Sequence, residues 1–277
     1  MRWRMIHQAH HYTEHTMIKK ILLAALVALH LILPAVAHAG QACEQKPPTE
    51  TRVTQGIAMA VKTVAQLDAS GADVVIIARA GQDLSKYRQR YSHLGFAYKQ
   101  DGHWTIVHKL NECGTATSNI YEQGMGQFFL DDPYRFEAAV TVPAPEVQQR
   151  LRAVLTDPKK VLAGHIAAYN MLSYAWGDKY QQSNQWVLET LAMAQEDSIH
   201  SREQAQAWLK FKGYQPTVLN LGPMTRLGAR MFKANIAFDD HPNEKRFSDR
   251  IETVGADSVF AFLEQSGMQA SHFVVGL

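Results

Sequence analysis

The sequence predicts an α+β fold, a small mostly antiparallel sheet packed by helices, on three observations. Residues 72–78 form a short, β-branched apolar run of the kind that makes a buried strand. Two further strand-like segments, 92–99 and 103–110, flank Asp101-Gly102, a dipeptide that favours tight hairpins. Beyond residue 145 the apolar residues recur mainly at helical spacings of three and four.

The N-terminal region reads as an export signal. Lys19 and Lys20 follow Met17, residues 21–33 are apolar except for His30, and Ala37-His38-Ala39 offers small residues to a signal peptidase. The apolar run is shorter than the roughly 20 residues that a membrane-spanning helix needs. Residues 1–39 are therefore expected to be a signal peptide, with Met17 as the true start. Residues 40–277 are expected to form a single α+β domain, periplasmic or secreted and without stable membrane insertion. Lipidation at Cys43 is the competing reading, but it wants a leucine where Gly40 stands. After cleavage, 24 Lys plus Arg would face 25 Asp plus Glu. That balance supplies no net field towards nucleic acid or anionic lipid.

Along the mature chain, Val53, Ile57, Val61 and Val64 make one helical stripe that Ser70-Gly71 ends. The strand at 72–78 and a polar loop precede the hairpin. Residues 111–132, glycine-rich and aromatic, read as a long functional loop, and 136–142 as a fourth strand. Helices are expected at 145–155, 161–176, 183–195, 225–235 and 257–265. Ser201 and Gln204 make a capping box for one more, which Gly213 would end. Residues 216–219 and 250–254 are candidate added strands.

Pairing about Asp101-Gly102 puts residues whose numbers sum to about 203 opposite one another. His93 and His108 then share a face as cross-strand neighbours roughly 7–8 Å apart, so the two imidazoles are expected to line one pocket. Ser183 opens a helix, where free backbone N–H groups and the positive end of the helix dipole favour a developing oxyanion. Tyr91, Tyr180 and Asn184 flank these groups as candidate binding residues.

Ser92-His93-Leu94-Gly95 on a strand, Val107-His108 on the next, and Tyr180-x-x-Ser183-x-x-Trp186-Val187 on a helix form a pattern that resembles the circularly permuted papain-like hydrolases related to NlpC-type cell-wall peptidases. The resemblance implies a permuted papain-like fold, His93 as general base, His108 as its orienting partner and Ser183 as nucleophile on a small-molecule or cell-envelope amide or ester. Serine stands where those enzymes carry cysteine, and a hydroxyl needs a base to remove its proton during attack. The chain also resembles an uncharacterised family of exported bacterial proteins. Cys43-Glu44, His108 to Gly114, Ser183 to Glu189 and Phe238-Asp239-Asp240-His241-Pro242 carry that likeness.

Other readings of the same residues stay open. Ser183 as a plain helix cap and the histidines as ordinary sheet residues would leave a non-catalytic binding or accessory protein with a hydrolase-like groove. Cys43 and Cys113 are expected to pair in an oxidising compartment, closing a loop of about 70 residues worth roughly 4 kcal/mol on a chain-entropy basis. Cys113 as a reactive thiolate is the alternative. Asp239, Asp240 and His241 are metal-capable or a turn, and Arg226 and Arg230 an anion grip or a solvated face. No cofactor motif and no metal-ligand spacing is read.

Overall fold

The computed structural model describes residues 47–131 and 133–277. Ala39–Leu277 is one compact unit. The expected signal peptide and Cys43 lie outside the described residues, so the Cys43–Cys113 bridge stays an expectation; no free cysteine occurs among the described residues.

The protein is α+β, with a six-stranded antiparallel sheet between two helical layers. Helix α1 (Glu50–Ala69) begins at Thr49, whose hydroxyl accepts the Arg52 N–H at 3.3 Å. Gly71 then turns the chain at φ +68°, a conformation that glycine adopts without steric cost. Strand β1 (Val74–Arg79) is buried along its whole length, because both faces of the sheet are covered. β2 (His93–Gln100) and β3 (His103–Asn111) form the expected hairpin: Phe96 faces Val107, Tyr98 faces Thr105 and Gln100 faces His103. Asp101 (φ +51°) and Gly102 (φ +80°) supply the two positive angles of a two-residue turn whose twist matches the strands.

β4 (Ser118–Gly124) and the short α2 (Met125–Leu130) occupy most of the segment expected to be one long loop. β4 is a polar edge strand with little apolar alternation, so only its ladder to β3 defines it. β5 (Glu137–Pro143) pairs with β1 and with the C-terminal β8 (Gln269–Gly276), a strand absent from the sequence reading. The sheet order is β4-β3-β2-β1-β5-β8.

The second half is mainly helical: α3 (Pro145–Leu155), α4 (Pro158–Ala163), α5 (Ser183–Gln195), α6 (Arg202–Phe211), α7 (Pro223–Phe232), α8 (Asn243–Phe247) and α9 (Ala256–Gln265). β6 (Thr217–Asn220) and β7 (Arg250–Thr253) make a separate two-stranded ribbon. The helix expected at 161–176 ends at Ala163 instead. Residues 164–182 run as an extended connection tied across the molecule, with Ser118 N–H donating to Ala167 O and Met171 N–H to Asn235 O. Long-range partners there outweigh local periodicity.

Alternation along the strands sorts the core into two. Ile76, Leu94, Phe96 and Val107 pack with Trp186 and Leu191 of α5; Ile77, Ala97 and Ile106 pack with Met59, Phe128 and Phe129 of α1 and α2. Gly95 belongs to the second face. A Cβ there would meet Ile106 Cγ2 at 3.0 Å, His108 Cβ at 3.2 Å and Val107 O at 3.3 Å. Gly95→Ala is expected to cost about 1–3 kcal/mol through overpacking, read by urea denaturation; stability equal to the parent's would show that the strands tolerate the extra carbon.

Candidate functional site

The register that builds the hairpin brings the two histidines together. His93 Nε2 lies 2.9 Å from His108 Nδ1, so one nitrogen carries the shared hydrogen, and their rings meet edge-on at 5.1 Å. Both sit on the α1/α2 face against Phe128. The buried Arg79 guanidinium completes the group: it lies over the Phe128 ring, donates to Phe128 O and pairs with the Asp131 carboxylate. Burial, then the Arg79 charge, holds His93 well below the usual imidazole range and takes His108 down to about 3. His108 Nε2 is buried; Gln123 approaches it from β4 without a geometry that satisfies the nitrogen. These are neutral imidazoles, chemically able to accept a proton from a group placed against them.

Ser183 is not that group. β2 and β3 pair only as far as Phe96 and Val107. Beyond that point the strands part, and the first turn of α5 fills the gap from the other face. Ser183 Oγ donates to Lys109 O at 2.7 Å, while Asn184 Oδ1 accepts the Leu94 N–H at 2.9 Å. Leu94 and Lys109 are the chain neighbours of His93 and His108, and alternation turns their side chains to the opposite face. No hydrogen bond joins Ser183 to either imidazole. The expected Ser183–His93 hydrogen bond is therefore not formed, although His93 and His108 do meet.

The candidate binding residues are spent on packing. Asn184 also donates to Val254 O at 3.2 Å. Tyr91 is buried edge-on against Phe260, its phenol pushed up by burial. The Tyr180 carbonyl accepts from Arg202. Asp240 and His241, weighed as metal ligands, form a structural knot: His241 bonds Asp240 at 3.0 Å and Glu252 O at 3.1 Å, and Asp240 accepts the Tyr174 N–H.

A second buried polar cluster, missed in the sequence reading, lies beneath α5. The Lys109 ammonium reaches Ile166 O (2.6 Å), His165 Nδ1 (2.9 Å) and Gln181 Oε1 (3.0 Å). Gln181 continues to Glu189, which Arg202 grips through two nitrogens at 2.8 and 3.1 Å. Burial, followed by the Arg202 charge, lowers the Lys109 ammonium to about 7, and Glu189 opposes that shift. The signal for it was the placement of Lys109 in step with Val107, a charge on an inward face of β3.

A cavity of about 740 Å³ opens elsewhere, walled by Arg52, Asp83, Tyr134, Met171, Lys233 and Asn235. Asn235 is buried, and its Oδ1 has no hydrogen-bond partner.

The fold and its paired imidazoles thus define an α+β protein whose candidate nucleophile and candidate base each bond to another partner. The chain belongs to the family described as an uncharacterized protein conserved in bacteria (DUF2145), whose profile matches residues 66–263. No curated protein and no solved structure matches it.

Proposed function

We propose that this is an exported binding or accessory protein on a scaffold resembling the permuted papain-like hydrolases, in which the catalytic constellation is not assembled. One observation carries this reading: the Ser183 hydroxyl is buried and donates to Lys109 O, while His93 and His108 hydrogen-bond each other. Attack requires the hydroxyl within hydrogen-bond reach of its base, and here that hydroxyl serves as a strand tie.

The ligand's place is the cavity beside Lys233. Its size falls within the roughly 300–1,000 Å³ of small-molecule sites. Lys233 and Arg52 supply positive charge, Asp83 supplies a negative one, and the unpartnered Asn235 Oδ1 can accept a hydrogen bond. A small ligand bearing both a carboxylate, for Lys233, and an N–H donor, for Asn235 Oδ1 and Asp83, fits that chemistry.

Two measurements test the proposal. A fluorophosphonate probe is expected to leave no adduct on Ser183 by intact mass, and a stoichiometric adduct lost in Ser183→Ala would restore the hydrolase reading. Calorimetric titration with a panel of small carboxylates is expected to give binding that Lys233→Glu weakens at least tenfold. Binding unaffected by that substitution would move the site elsewhere.

A further inference from the structure

The exposed side of α7 runs against the usual rule for a surface helix. Ala229 packs inward on the small core formed by Leu219, Leu221, Phe238 and Ile251, and Arg226 on the adjoining flank is tied to Asp249 at 2.6 Å. Met224, Leu227 and Met231, spaced three and four apart, consequently form one stripe facing solvent. They are 79, 54 and 55% exposed. Phe247 at the end of α8, two residues before Asp249, is 71% exposed and adds an aromatic ring to the same region. Scattered apolar residues need no explanation, but a helical stripe of large ones does.

The charges around the stripe that have no ion-pair partner among the described residues are mostly cationic: Arg230, Lys233, Arg246 and Arg250 against Glu244 on α8, while Asp249 is already paired with Arg226. No aspartate or glutamate occurs between Thr217 and Phe238, whereas Arg226, Arg230 and Lys233 do. Arg230 is exposed on the flank next to Leu227, and Arg250 is exposed at the start of β7. An apolar stripe edged by cations is the pattern of a helix that lies in a membrane interface, its side chains in the acyl boundary and its cations at anionic headgroups. A protein partner would equally cover the apolar area, but the excess of unpaired cations on the rim favours a negatively charged surface. No helix among the described residues is long and apolar enough to cross a membrane, which agrees with a surface attachment. The near-zero charge balance of the whole mature chain conceals this patch, because most of the acidic residues lie elsewhere.

We propose that α7, with Phe247, docks the protein onto an anionic lipid surface. The test uses the compact unit from Gly40 onward, which omits the apolar run at 21–33 that would itself bind lipid. Flotation with vesicles of mixed phosphatidylglycerol and phosphatidylcholine is compared with vesicles of phosphatidylcholine alone. The expected result is binding at least tenfold stronger to the anionic vesicles. It should fall at least tenfold in the double variant Leu227→Glu/Met231→Glu and several-fold in Arg230→Glu, with unchanged melting temperatures. Failure to bind either vesicle, equal binding to both, or binding that survives the double variant overturns the proposal. So does a dimer in analytical ultracentrifugation that the double variant dissociates, since the stripe would then belong to a second copy of the chain.

Discussion

Glu189→Ala is expected to destabilise the protein by about 3–5 kcal/mol, the range for leaving one partner of a buried ion pair uncompensated. Glu189 is the anion between two buried cations: it accepts two bonds from Arg202 and reaches Lys109 through Gln181. Gln206 donates to it as well, at 2.8 Å. Arg202 in turn donates to the carbonyls of Gly177, Asp178 and Tyr180, so the same ion pair holds the end of the long connection before α5. Removal of the carboxylate leaves the buried Arg202 and Lys109 cations without the anion between them. For a chain of this size the loss corresponds to a melting temperature lower by roughly 10 °C. Glu189→Gln keeps an acceptor and should cost less. A shift below about 1 kcal/mol in urea titrations of Glu189→Ala would show that the network is not holding the helices together.

Acidification from pH 6.5 to 5 is expected to weaken the fold through His93 and His108. Both imidazoles are held below their ordinary value, His108 at about 3, by burial and the neighbouring Arg79. The native state therefore keeps them neutral, while the unfolded chain takes up protons below about pH 6.5. Stability is fully present above that value and falls as pH drops, by roughly 1.4 kcal/mol per pH unit for each imidazole. His165, lowered to about 4 by burial and Lys109, adds to the slope, as does His272. The double variant His93→Gln/His108→Asn should consequently lose about two protons of pH dependence while retaining the remainder. An unchanged slope in urea midpoints across that window would place the two rings in contact with water.

How much of this was legible depended on how local the signal was. Asp101-Gly102 and the alternation of Leu94, Phe96 and Tyr98 determine a hairpin and its register from a dozen residues, so the meeting of His93 and His108 followed from counting. β4 and β8 border no such pattern; each is a strand because a neighbour offers it a ladder. The helix expected at 161–176 failed for the same reason, since Ala167 and Met171 bond to distant backbone rather than to their own turn. The face on which α5 packs was not legible. Placing Ser183 at a helix start is a local inference, but the side of the sheet on which that helix packs depends on the whole chain path. Alternation already placed Lys109 opposite to His108, and only the packing of α5 reveals that Lys109, not the histidine, lies on the serine's side.

The most direct measurement restores the atom that the resembling hydrolases carry. In Ser183→Cys, the rate of thiol alkylation followed against pH reports the ionisation of the introduced sulfur. Against an imidazole partner, thiols ionise at roughly pH 3.5–7.5 rather than near 8.5. With position 183 bonded to Lys109 O rather than to His93, the ionisation of the introduced thiol should be indifferent to an added His93→Gln. A thiolate already present at pH 6, and abolished by His93→Gln, would put the two groups within reach of each other and contradict the account.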